Sequence, residues 1–112
     1  MQFLMLIYRD RLPVPAGSSN PAGDDVDAWV MRMNDRGVRL AGEPLAPDAD
    51  AVTVRVRGGA VQTDPAAFLD TGSALFGFDL LDCKDIDEAV AVASEHPLAA
   101  RHVIELRPTV SD

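Results

Sequence analysis

The chain reads as an α+β protein with a ferredoxin-like layout: an antiparallel sheet carrying two helices on one face. Three observations predict this. Short apolar strand patterns open and close the chain, two capped amphipathic stretches separate them, and a Gly58-Gly59 turn joins two alternating runs in the middle. The expected order is strand, helix, strand, hairpin, strand, helix, strand.

Residues 2–8 are the first strand, since the run is too short for a typical helix. Phe3, Met5 and Ile7 fall on one face and Leu4, Leu6 and Tyr8 on the other. Both faces are apolar, which predicts that both are covered, one by a helix layer and the other by a further layer or another subunit. Residues 9–23, with three prolines and two glycines, form a loop that is also a candidate lid. Asp24 and Asp25 offer N-cap chemistry for a helix ending near Arg36, with Val26, Trp29, Val30 and Met33 as its apolar stripe. Gly37 stands where a left-handed C-terminal residue belongs, and Val38 follows as its apolar contact. The next strand covers 38–42, and a turn-rich connection follows to Asp50.

Val52, Val54 and Val56 alternate with Thr53, Arg55 and Arg57, which predicts a half-buried strand with valines inward. The two glycines turn it back onto residues 60–63. The stretch 63–81, TDPAAFLDTGSALFGFDLL, begins in an Asp-Pro turn and ends as an apolar strand. Asp85 with Glu88 three residues on is a capping-box variant, and Ile86, Ala89, Val90 and Ala93 are the expected stripe of the second helix. A final strand covers 101–107.

Composition narrows the function classes. At 112 residues the chain is expected to be a single domain. Its one cysteine, Cys83, excludes an intrachain disulfide and favours a reducing, cytoplasmic setting. The net charge of −8 repels nucleic acid and anionic lipid. The apolar start is too short for a signal segment, and no run approaches the ~20 residues that span a bilayer. His96 and His102 lack the spaced partners of a metal site, and no glycine-rich phosphate loop precedes a helix, so neither metal nor cofactor is expected. His96, at a helix end, is read as a cation facing the helix dipole.

With these elements placed, the chain resembles the YCII-related family, in its Asp-Gly-Pro-Phe (DGPF) branch. Three parts carry the likeness: Phe3–Tyr8; the run Gly37-Val38-Arg39-Leu40-Ala41-Gly42-Glu43-Pro44-Leu45 leading to Thr53-Val54-Arg55; and Thr63-Asp64 through Gly77-Phe78, with 85–93 and 103–108. Where the branch has Asp-Gly-Pro-Phe, this chain has Asp64-Pro65-Ala66-Ala67-Phe68. Where it has Gly-Gly-Phe, this chain has Phe76-Gly77-Phe78. The resemblance implies a dimeric α/β barrel, related to muconolactone isomerase and small antibiotic-biosynthesis monooxygenases, with homodimerisation through sheet faces. Some members carry a His–Asp pair proposed to be catalytic. Asp35 matches the acid, but the histidine region reads Asp25-Val26-Asp27-Ala28, so the pair is broken.

The expected function is binding of a small apolar or aromatic metabolite in a cleft between sheet and helices. Tyr8, Glu43, Asp64 and Phe78 are the candidate ligand-binding residues, and His102 and Asp35 are the candidates for any catalysis. Two alternatives stand beside it. One is a non-catalytic sensor or protein-interaction module. The other is a cofactor-independent isomerase or oxygenase using His102 as base.

Overall fold

A computed structural model describes residues 1–69, 72 and 74–110; Asp70, Thr71 and Ser73 of the 63–81 stretch lie outside the described residues. The strands are β1 (Gln2–Tyr8), β2 (Arg39–Pro44), β3 (Thr53–Arg57), β4 (Ala60–Asp64), β5 (Leu75–Asp82) and β6 (Val103–Pro108). The helices are α1 (Val26–Asp35) and α2 (Ile86–Ser94). Four strands form one antiparallel sheet in the order β2-β5-β1-β6, and β3 and β4 form a separate hairpin. The fold is therefore α+β, as expected: a four-stranded antiparallel sheet, two helices and a hairpin.

Local chemistry sets the helix ends. Asp25 caps α1 by accepting from the N–H groups of Asp27 (2.9 Å) and Ala28 (3.3 Å). Gly37, at φ +72°, ends it. The Val38 N–H returns to Met33 O and the Gly37 N–H to Asn34 O, each at 3.0 Å, which is the paired-bond C-terminal motif. Asp85 caps α2 by accepting from the Glu88 N–H at 2.9 Å. Gly58 and Gly59 both have positive φ, so the two-residue hairpin turn twists with its strands.

The core lies between the sheet and the helices. Phe3, Met5, Ile7 and Leu81 meet Trp29 and Met33 of α1 and Ala89, Val92 and Ala93 of α2. The Trp29 indole N–H donates to the Val92 carbonyl at 3.1 Å, tying the helices together inside this layer. The loop before α1 is anchored here too. The Asn20 amide donates to the carbonyls of Ser94 (2.8 Å) and His96 (2.9 Å).

Two expectations change, and the cover of β1 is seen only within one chain. The valines do not point inward: Val52, Val54 and Val56 are all exposed, because β3 and β4 form a hairpin separate from the four-stranded sheet. The α2 stripe is rotated. Val92 is buried while Ile86 and Val90 are exposed, since the helix turns its small residues and Val92 toward Trp29. Within the chain, β1 is covered on one face only. Phe3, Met5 and Ile7 are buried, whereas Leu4, Leu6 and Tyr8 are half-buried.

Trp29 is fully buried and hydrogen-bonded across the helix pair. Trp29→Ala is expected to lower unfolding free energy by about 3–5 kcal/mol, read from the denaturant midpoint.

Candidate functional site

A cavity of about 360 Å³ opens between the β2–β5 side of the sheet and the helical layer. Strand alternation builds its floor. Ile7, Gly77, Asp79, Gly42 and Arg39 share the sheet face toward the helices, as the pairings Ile7↔Gly77, Asp79↔Gly42 and Leu81↔Arg39 require. Val26, Asp27 and Val30 of α1, with His96 and Leu98 beyond α2, form the facing wall.

The polar centre of the floor is an ion pair. Asp79 is 5% exposed and accepts from Arg39 Nε at 2.7 Å. The same guanidinium donates to the Gly42 carbonyl at 3.0 Å and to Asn34 Oδ1 at 3.4 Å, so all three of its nitrogens are engaged. Burial pushes the Asp79 carboxyl above its ordinary range, and Arg39 partly offsets this. Gly42 permits the pair, because a Cβ there would overlap Asp79 Oδ1 and crowd the Arg39 guanidinium. At Gly77 a Cβ would meet Ile7 Cδ1 at 3.5 Å and the Glu43 carbonyl at 3.8 Å, ordinary contacts that a side chain tolerates.

His96 lies in the wall, 2% exposed, edge-on to Trp29 with ring centroids 4.6 Å apart. Burial, aided by the Arg39 charge, lowers its pKa to about 4. Its Nδ1 accepts from the Leu98 N–H at 3.1 Å. His96 is thus a neutral acceptor capping the turn at residues 97–100, which corrects its reading as a cation on the helix dipole.

The sequence-predicted site residues divide among several places. Glu43 and Phe78 line the 360 Å³ cavity, although alternation directs their side chains to the opposite sheet face, so they border it. Tyr8 lines a second, more open cavity of about 560 Å³ with Leu45, Pro47, Phe68 and Leu75. Asp64 ends β4 in an exposed position, paired with Thr53 across the hairpin. Asp35 is the exposed last residue of α1. His102 precedes β6, edge-on to Phe76 at 5.2 Å, with a buried Nδ1 that has no hydrogen-bond partner among the described residues. Burial and the Arg9 and Arg101 charges lower the His102 pKa, against a raising effect of Asp10. Phe76 also carries the Arg9 guanidinium 5.4 Å from its ring centre and lines the 360 Å³ cavity, so it links His102 to the cavity wall.

Sequence reasoning missed Arg39, Asp79 and His96. Asp79 carried a usable signal. It is the charged residue inside the apolar run 75–81, on the same alternation as buried Leu81. No protein-family model matches the chain, and no curated protein matches it in sequence.

Two measurements check this geometry. Arg39→Met and Asp79→Leu should each destabilise the protein by about 3–5 kcal/mol by stranding a buried charge, while the double variant loses less than the sum in a double-mutant cycle. For His96, the unfolded imidazole takes its proton near pH 6.5 and the folded one only near about 4. Stability from this residue is therefore full above pH 6.5 and falls as pH drops toward 4, by roughly 3 kcal/mol. His96→Asn, which keeps an N-cap acceptor, should flatten the stability profile across that window.

Proposed function

We propose that the chain is a YCII-like domain of the DGPF branch that binds a small apolar or aromatic metabolite in the cleft between sheet and helices. The observation that carries this reading is the 360 Å³ cavity, whose size suits a small ligand. Ile7, Val30, Phe76 and Leu98 offer it apolar walls, and the Arg39–Asp79 pair offers a polar floor. The ferredoxin-like layout belongs to the same reading and is supported by the main sheet's order β2-β5-β1-β6 with antiparallel neighbours throughout. The homodimer through sheet faces is supported by the outer face itself. Leu4, Leu6, Phe78 and Leu80 share it and are only half-buried in a single chain. Any proton transfer to a ligand in this cavity would fall to Asp79, the buried carboxyl on its floor, rather than to His102 behind Phe76.

A thermal-shift screen of small aromatic and aliphatic metabolites tests the reading. A ligand at 100 times its Kd is expected to add about 2.7 kcal/mol of stability. Gly77→Leu, whose side chain would occupy the space above the floor, should remain folded and lose the shift. A screen with no stabilising compound, or a shift that survives Gly77→Leu, would count against this cavity as the binding site.

A further inference from the structure

Two polar atoms at the 360 Å³ cavity have no partner among the described residues, and together they specify a ligand's polar group. Asp79, 5% exposed on β5, uses Oδ1 to accept the Arg39 Nε–H at 2.7 Å. Its Oδ2 accepts from no described residue. His96, 2% exposed on the facing wall, uses Nδ1 to accept the Leu98 N–H at 3.1 Å. A neutral imidazole with one nitrogen accepting carries its proton on the other, so His96 Nε2 is an N–H donor. That donor has no acceptor among the described residues either. Neither atom is sealed in. Among the described residues, His102 Nδ1 is the one fully buried side-chain nitrogen or oxygen without a partner. Asp79 Oδ2 and His96 Nε2 therefore each keep an open side, although their residues are almost wholly buried, and the cavity is the space that both residues line.

The charges around this pair of atoms decide what can meet them. Arg39 balances Asp79, each guanidinium nitrogen already has an acceptor, and His96 is neutral. The other charged residues that line the cavity, Asp27 and Glu43, are exposed acids of its rim. An anion would pass acids at the mouth and meet no unpaired cation inside. A cation at Asp79 Oδ2 would sit beside the guanidinium bonded to the same carboxylate. Ile7, Val30, Phe76 and Leu98 make the remaining walls apolar, so one acceptor and one donor stand out in a mostly apolar lining.

We infer that the cleft selects an uncharged, mostly apolar carboxamide, whose N–H donates to Asp79 Oδ2 and whose carbonyl accepts from His96 Nε2–H. This rests on the proposed ligand cleft and adds the chemical class that the cleft takes. An amide presents its donor and acceptor as two separate atoms, which suits partners on two different walls. A ligand lacking either atom leaves a buried polar group unpaired, and that loss is what gives such a site its selectivity.

Calorimetric titration with naphthamide, naphthoate, the naphthylmethylammonium ion and methylnaphthalene tests the assignment. Naphthamide is expected to bind about tenfold or more tightly than each of the other three. Two variants read the two contacts separately. In His96→Asn the Asn oxygen keeps the Leu98 cap and the ring donor is gone, so the naphthamide-to-methylnaphthalene affinity ratio should fall about tenfold. In Asp79→Asn the amide oxygen stays on Arg39 and the free acceptor becomes a donor beside an unbalanced guanidinium, so preference should invert from naphthamide to naphthoate. The wild-type series decides even where a variant does not fold. A wild-type chain that does not prefer naphthamide overturns the amide assignment and leaves the apolar cleft standing. A preference for naphthamide that neither folded variant alters overturns it as well. If none of the four compounds binds, or if their binding survives Gly77→Leu, the cleft reading falls with it.

Discussion

The Arg39–Asp79 ion pair is the constraint around which the cavity side of the fold is arranged. Asp79 sits on the helix-facing side of β5, where an isolated carboxylate would be very costly to bury. Arg39, at the start of β2, supplies the compensating charge, and its remaining nitrogens hold the Gly42 carbonyl and Asn34. That single guanidinium connects the end of α1 to β2 and β5. Gly42 follows from it, because the strand passes over the pair with no room for a side chain. So does the cavity. A salt-bridged floor beside Gly77 cannot be packed by the aliphatic side chains that fill the Phe3–Trp29 end of the same layer.

The second constraint is that the fold has only two layers. The helices cover one sheet face, and Leu4, Leu6, Phe78 and Leu80 on the other are only half-buried. Apolar residues on the uncovered face of β1 and β5 and on the free face of the hairpin are then the same problem met twice. The cavity face and the outer face also serve different chemistry. The first carries a neutral His96 and a paired carboxyl. The second is apolar at its centre, with Glu43, Asp82 and the ion-paired Glu105 and Arg107 at its margin.

How much of this was legible in the sequence depended on whether the deciding interaction was local. The Asp25 and Asp85 caps, the Gly37 terminus and the Gly58-Gly59 turn are read from residues within one turn of each other, and each stands in the structure as expected. The side of β3 that its valines take was not legible, since alternation reports that two faces differ but not which layer, if any, meets one of them. The rotation of α2 follows from the Trp29–Val92 bond, a contact across 63 positions. His96 was misjudged for the same reason. Its place near a helix end suggested a cation, while the groups that surround it, Asn20, Trp29 and Arg39, come from elsewhere in the chain.

The broken His–Asp pair of the family resemblance takes on a different meaning beside this geometry. Asp35 is exposed at the end of α1, so even with a histidine at 25–28 the acid would act in solvent. Asp79 is buried, that burial raises its affinity for a proton, and it lies on the floor of a cavity. A carboxyl held by an arginine through one oxygen stays fixed in orientation, which a surface acid is not. If this fold handles a polar group on an otherwise apolar molecule, the physical argument places that contact at Asp79, on the central strand, and not at the helix position where the resemblance alone would look.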